Sequence, residues 1–226
     1  YVSHRHISRI TKIAYPSGEV IWNMGLPSGF GVGDDNICSD LEFSFQHHVT
    51  ILDNGDLLFF DNGNLDQNVF NQEVPTSRAL RINVVDDSYC EVVWSYELPP
   101  YQFGAGMGSV QLLDNGNYLI YTFGSGFGQG EPTLREVTQE KEVVWNYQGI
   151  NNAAWYRTYK VPSLHPEVFS VVANELTLID NQEVINIEDS LKFLITNHSG
   201  YNNTYKYILS DLNDGGSQVF NYQEGE

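Results

Sequence analysis

The sequence predicts an all-β chain, and three observations carry that prediction. Short β-branched or aromatic runs recur between clusters of turn residues, no segment keeps a long 3.6-residue apolar period, and two Asn-Gly dipeptides sit between paired runs. Val20-Ile21-Trp22, behind the turn Pro16-Ser17-Gly18, is the first clear strand. Val49 to Leu52 and Leu57 to Phe60 flank Asp53-Asn54-Gly55-Asp56, where Asn-Gly supplies the positive φ of a type I′ hairpin turn. Val92-Val93-Trp94 follows. Tyr118 to Tyr121, after the second such turn at Asp114-Asn115-Gly116-Asn117, and Val143-Val144-Trp145 complete the series.

Those turns expose a repeat. At an offset of 61, the stretch from Val49 to Asp56 overlays Val110 to Asn117, and each copy leads to the same ending, Glu91-Val92-Val93-Trp94 and Glu142-Val143-Val144-Trp145. A third ending, Glu19-Val20-Ile21-Trp22, lies near the start. Two hairpins per unit at this spacing is the arithmetic of a four-stranded propeller blade, with the Trp as a plug between blades. Residues 1 to about 24 then read as the second half of a blade, about 43–98 as a whole blade and about 103–149 as another. About two and a half blades predict the C-terminal part of a ring whose other blades lie on a further segment or a second chain, because an open stack exposes sheet faces and edges.

The character changes after the breaker Pro162-Ser163-Leu164-His165-Pro166, so the expected domains are 1–166, propeller, and 167–226. The last 60 residues lack the Glu-Val-Val-Trp ending and carry 10 acidic against 2 basic residues. Thr177 to Ile179, Ser190 to Thr196 and Tyr205 to Leu209 read as strands of a small immunoglobulin-like β-sandwich, whose end at Gly225-Glu226 is compatible with truncation. Asn197-His198-Ser199 and Asn202-Asn203-Thr204 match the glycosylation sequon.

Composition limits the function classes. With 29 Asp+Glu against 11 Lys+Arg, a net charge of −18 leaves no basic face for nucleic acid. Hydrophobic residues at 41% are enough for a core, and no run approaches the roughly 18 apolar residues of a membrane-spanning helix. The sequence begins at Tyr1 with no signal peptide, and reads as a mature, trimmed or partial polypeptide. Its acidity, turn-rich composition and 2 Met lean toward a secreted, periplasmic or cell-surface protein. Cys38 and Cys90 fit either one bridge or two buried thiols.

A repeat separates scaffold from site, since shared positions serve the blade and differing ones are free for chemistry. Arg81 and Arg135 share a place in the repeat and are assigned to scaffold. His47 and His48 fall opposite Gly108 and Ser109, Asp61-Asn62 opposite Thr122-Phe123, and Ser77-Arg78 opposite Glu131-Pro132. Imidazole, carboxamide and guanidinium are thus concentrated in one blade, as handling of an anion would require. Each also has a plainer reading, as polar rim or turn. His4-Arg5-His6 repeats the chemistry at a strand start. No cofactor is expected and metal spacing is poor, although Asp34-Asp35-Asn36 offers oxygen ligands for a structural calcium. Gly124-Ser125-Gly126-Phe127-Gly128 lacks the Lys and the helix of a phosphate loop.

Ser3-His4-Arg5-His6, Gly18-Glu19-Val20-Ile21-Trp22, Gln46-His47-His48 through Asn54-Gly55, and Phe60-Asp61-Asn62-Gly63 with Ser77-Arg78 together resemble the bacterial arylsulfotransferase family over about residues 3–165. The resemblance implies a six-bladed propeller and transfer of a sulfuryl group between phenols without a nucleotide donor. It also implies a channel histidine that carries the group. On this chain His47 or His48, Asn62 and Arg78 match that machinery, with Arg5 and His6 as further channel residues. The expected ligand is a phenolic sulfate or another small anion. The absence of histidine between His48 and His165, together with the acidic tail, favours the alternative of a non-catalytic extracellular binding or structural propeller, surface- or filament-associated.

Overall fold

A computed structural model describes residues 1–26, 36–124, 132–150, 154–173, 176–179, 182–185, 193–210 and 217–223. The chain is all-β, with one short helix, α1 (Asp66–Val69), among the described residues. Contacts divide it into Tyr1–Lys160 and Val161–Glu226.

The first unit holds three four-stranded sheets in chain order. Sheet 1 is β1 (Val2–His4), β2 (Arg9–Ile13), β3 (Val20–Gly25) and β4 (Asn36–Ile37). Sheet 2 is β5 (His47–Ile51), β6 (Leu57–Asp61), β7 (Arg78–Val85) and β8 (Tyr89–Glu97). Sheet 3 is β9 (Ser109–Leu112), β10 (Tyr118–Thr122), β11 (Thr133–Val137) and β12 (Val143–Gln148). Pairing is antiparallel throughout except at β4, a two-residue edge strand parallel to β3. The N-terminal segment is therefore more than half a unit: three antiparallel strands and this short fourth.

Sheet 2 lies between two cores. Along β6, Leu57 and Phe59 join Ile10, Trp22 and Met24 of sheet 1, whereas Leu58 and Phe60 join Val110, Tyr118 and Ile120 of sheet 3. This is the period-two alternation of a strand, apolar on both faces because both faces are covered. Trp22 Nε1 donates to Asp87, in the β7–β8 turn, and Trp94 Nε1 donates to the Gln139 carbonyl, in the β11–β12 turn, so each Trp reaches the corresponding turn of the next sheet. Cys38 and Cys90 are bridged, joining the end of sheet 1 to β8, with Cα atoms 5.4 Å apart.

Register corrects three equivalences of the repeat, the first being that His47, paired with Phe60, answers to Ser109, paired with Tyr121, and not to Gly108. Arg81 pairs with Trp94 and Leu58, while Glu136 pairs with Trp145 and Leu119, so the counterpart of Arg81 is Glu136 and not Arg135. By the same step Arg78 answers to Thr133, and Ser77 to Pro132, whose carbonyls accept from Leu98 and Gly149 respectively. The Leu-Arg dipeptides look alike in sequence, but a slip of one residue changes the face of every side chain. The swapped charge has swapped partners: Arg81 meets Asp56 at 2.7 Å, whereas the Glu136 carboxyl, held at about 2, accepts from Asn117, Asn115 and Lys160.

The second unit contains β13 (Phe169–Ala173) paired with β16 (Phe193–Asn197), β14 (Leu176–Ile179) with β15 (Gln182–Ile185), and β17 (Thr204–Ser210) with β18 (Ser217–Gln223). Within it, Tyr201 donates to the Ser163 carbonyl and Asn203 to that of Pro166. No helix of the described residues is long and apolar enough to cross a membrane. Asp34 and Asp35 of the calcium expectation, and Ser125 to Gly128, lie outside the described residues.

Candidate functional site

A cleft of about 400 Å³ opens where sheets 1 and 2 meet the segment Trp155–Lys160, lined by Ser3, Arg5, Gln46, His47, His48, Tyr156 and Arg157 among others. No carboxylate is among its lining residues, in a chain with 29 acids.

His47 begins β5, and its Nδ1 lies 2.6 Å from Asn62 Oδ1. Asn62 is fully buried just beyond β6, and its Nδ2 donates to the carbonyls of Gly104 and Met107. With both amide protons committed, Oδ1 can only accept, so His47 carries its proton on Nδ1 and keeps the lone pair on Nε2. Burial lowers the His47 pKa from 6.5, and the charges of Arg5 and Arg157 lower it further; the Asn62 and Phe45 hydrogen bonds oppose them without reversing the shift. The ring is therefore neutral near pH 7.

His48 is a different kind of residue. It has φ of 54° within an irregularity of β5, between the pairings His47–Phe60 and Thr50–Leu58. Its Nδ1 accepts from the Val110 amide and its Nε2 donates to Tyr159 Oη at 3.0 Å. Burial and then Arg157 push its pKa down to about 4. Both nitrogens are occupied, so His48 anchors Tyr159 while its side chain lines the cleft.

Arg5 comes from the turn between β1 and β2. Its guanidinium lies 4.7 Å over the Phe45 ring, donates to the Ala105 carbonyl and contacts His6 Nε2 at 3.1 Å. Asn64 also donates to Ala105, so side chains of sheets 1 and 2 converge on the carbonyls of the 104–107 loop. The result is a neutral imidazole with a free lone pair, set beside fixed cations in an acid-free cleft.

The family model of Arylsulfotransferase (ASST) matches residues 1–150. The chain belongs to the arylsulfotransferase family. No match was found among curated proteins. Arylsulfotransferase-like function follows from this membership.

Arg78 is placed elsewhere. Its Nε meets Asp61 at 2.8 Å and its Nη2 donates to the carbonyls of Leu41 and Glu42, while Asp61 accepts from the amides of Ser44 and Gly63. This arrangement fixes the floor behind Asn62, and Arg78 is not among the lining residues of the cleft. His6 is exposed and touches the cleft through Arg5. The repeat comparison passed over Tyr156 and Arg157, which follow the last Glu-Val-Val-Trp ending and have no counterpart in the repeat. The signal available was local: Trp155 to Lys160 holds two of the 11 basic residues interleaved with three aromatics.

Proposed function

We propose that the cleft transfers a sulfuryl group between phenols, with His47 as the nucleophile. Its Nε2 lone pair attacks the sulfur of an aryl sulfate. The bond from sulfur to the aryl oxygen breaks, the phenolate leaves and takes a proton from solvent, and the sulfuryl group rests on Nε2. An acceptor phenol then attacks sulfur, the N–S bond breaks, and the acceptor's proton goes to solvent. Asn62 holds Nδ1–H toward itself through both steps, and Arg5 offsets charge on the sulfuryl oxygens. The observation that carries this reading is the His47–Asn62 pair, whose bonding fixes the tautomer in a cleft without acids.

The three sheets fit consecutive blades of a six-bladed ring. Trp22 and Trp94 both reach the next sheet, while Trp145 is 49% exposed, as expected if a further blade, on more chain or a second chain, packs there. An oxidising location, secreted, periplasmic or at the cell surface, agrees with the Cys38–Cys90 bridge. We keep the immunoglobulin-like sandwich as the reading of the second unit, and a structural calcium at Asp34-Asp35-Asn36 as a minor proposal.

One observation favours the alternative of a non-catalytic binding propeller. Sheet 3 offers Ser109 and Thr122 where sheet 2 offers His47 and Asp61, so sheet 3 brings no second histidine to these positions. Incubation of the protein with p-nitrophenyl sulfate and phenol separates the two. The transfer reading expects phenyl sulfate formation, a sulfuryl adduct on the His47 peptide by mass spectrometry, and loss of both in His47→Ala. Turnover unchanged in His47→Ala, or none at high protein concentration, overturns it.

A further inference from the structure

The segment Trp155–Lys160 is fastened across the open side of sheet 3 as a strap. The Trp155 ring stacks on Tyr121 at 5.0 Å, and Tyr121 Oη bonds both the amide and the carbonyl of Trp155. Ser109 Oγ bonds the Thr158 amide and carbonyl, and the Gln111 side chain bonds the Lys160 amide and carbonyl. Three sheet side chains thus satisfy backbone groups of the strap as a neighbouring strand would. Tyr159 is tied to His48.

Two further strap residues line the cleft, Tyr156 and Arg157, the latter interacting with the side chains of both Tyr156 and Tyr159. Tyr156 meets the His47 ring edge-on at 6.3 Å, and the Arg157 guanidinium lies 4.8 Å over the Tyr156 ring. Both line the cleft, and no carboxylate pairs with Arg157 or with Arg5 among the described residues. Two uncompensated guanidiniums at one cleft, in a chain of net charge −18, call for an anionic ligand.

We propose that Arg157, on the strap, binds the sulfate group of the donor together with Arg5, and that Tyr156 is a positioning residue that holds the Arg157 guanidinium beside His47 through its ring. This rests on reading the cleft as the sulfuryl-transfer site. The strap then selects for the charged ester: an aryl sulfate meets both arginines, whereas a neutral phenol acceptor needs neither.

Calorimetric titration of phenyl sulfate into His47→Ala, which lacks the proposed nucleophile, tests the clamp apart from catalysis. Adding Arg157→Ala is expected to weaken binding about 10- to 100-fold, the usual scale for a charge-assisted hydrogen bond, with Arg157→Lys intermediate. The melting temperature should stay unchanged, since the side chain is exposed. In the otherwise native protein, Arg157→Ala should raise KM for p-nitrophenyl sulfate by a similar factor while KM for phenol stays within about twofold. Equal binding with and without Arg157 overturns the proposal, and so does a parallel rise of both KM values, which a merely structural strap would give. Binding that depends on Arg157 without any sulfuryl transfer removes the proposed reaction and leaves the clamp. Transfer indifferent to Arg157 does the reverse, and no binding of phenyl sulfate removes both.

Discussion

With Nδ1 protonated against Asn62, Nε2 is the nitrogen of His47 proposed as nucleophile, and the local charges set the pH at which it is free. Burial first, then Arg5 and Arg157, lower its pKa, so protonation blocks the nucleophile only below the ordinary 6.5. The acid limb of kcat/KM is therefore expected below pH 6.5. Arg5→Gln removes one of the depressing charges, the pKa rises, and the limb must move up toward 6.5; a limb that stays put or moves down would refute the assignment of His47. A profile from about pH 4 to 9 for both proteins measures this. How legible these residues were depends on whether the repeat contained them. His47 and Asn62 stood out because the other copy has nothing like them. His48 stood out equally, yet its left-handed backbone and two engaged nitrogens give it another role, and adjacency in sequence cannot show that. Arg78 carried the right chemistry but is spent on buried Asp61 and two carbonyls. Tyr156 and Arg157 lie past the last repeat ending, where comparison between copies has nothing to compare.

At the scale of the element, the Glu-Val-Val-Trp ending encodes more than a strand. In all three sheets the register shifts beside the Trp, between Lys12 and Ile13, Arg81 and Ile82, and Glu136 and Val137, so the residue just before each Trp is extra to the pairing. The bulge at Ile21, Val93 and Val144 bends the strand that carries it, and Trp22 and Trp94, which follow two of these bulges, reach the next sheet's turn. Pattern reading found the strands because alternation and Asn-Gly turns are local, and missed the bulges because they exist only in the pairing. The wrong counterpart for Arg81 has a different source, the matching Leu80-Arg81 and Leu134-Arg135 dipeptides, since both copies carry the same bulge. The plug role is testable. Trp94 is 8% exposed, stacks on Tyr118 at 3.7 Å and donates to Gln139, so Trp94→Ala should cost about 3–5 kcal/mol in urea unfolding. Trp145→Ala, with its ring half exposed, should cost under about 1 kcal/mol in this chain. Equal costs would mean that the Trp acts within its own sheet and not between sheets.

Across the first unit, the cleft depends on holding sheet 1 against sheet 2, because Arg5 belongs to one and His47 to the other. One apolar cluster and the Cys38–Cys90 bridge join these sheets, with Gln46 adding hydrogen bonds to Ser3 and to the Arg9 carbonyl. The bridge spans a sequence separation of 52 residues, and closing a loop of that size constrains the unfolded chain by about 4 kcal/mol. Cysteine count alone left the bridge open, since two thiols 52 positions apart meet only if sheets 1 and 2 pack, which is a property of the assembled unit. The double variant Cys38→Ser, Cys90→Ser should lower the urea midpoint of Tyr1–Lys160 by roughly 2 M, with a steeper slope because the denatured chain without the crosslink is more expanded. The site should suffer with it. As the sheets loosen, the Arg5 charge averages over a wider distance from His47, so the acid limb of kcat/KM in the double variant should shift upward, toward its position in Arg5→Gln. A variant that loses stability yet keeps the native pH profile would place the coupling of Arg5 to His47 in the 104–107 loop instead, where Ala105 and Asn62 already hold the two within one hydrogen-bonded network.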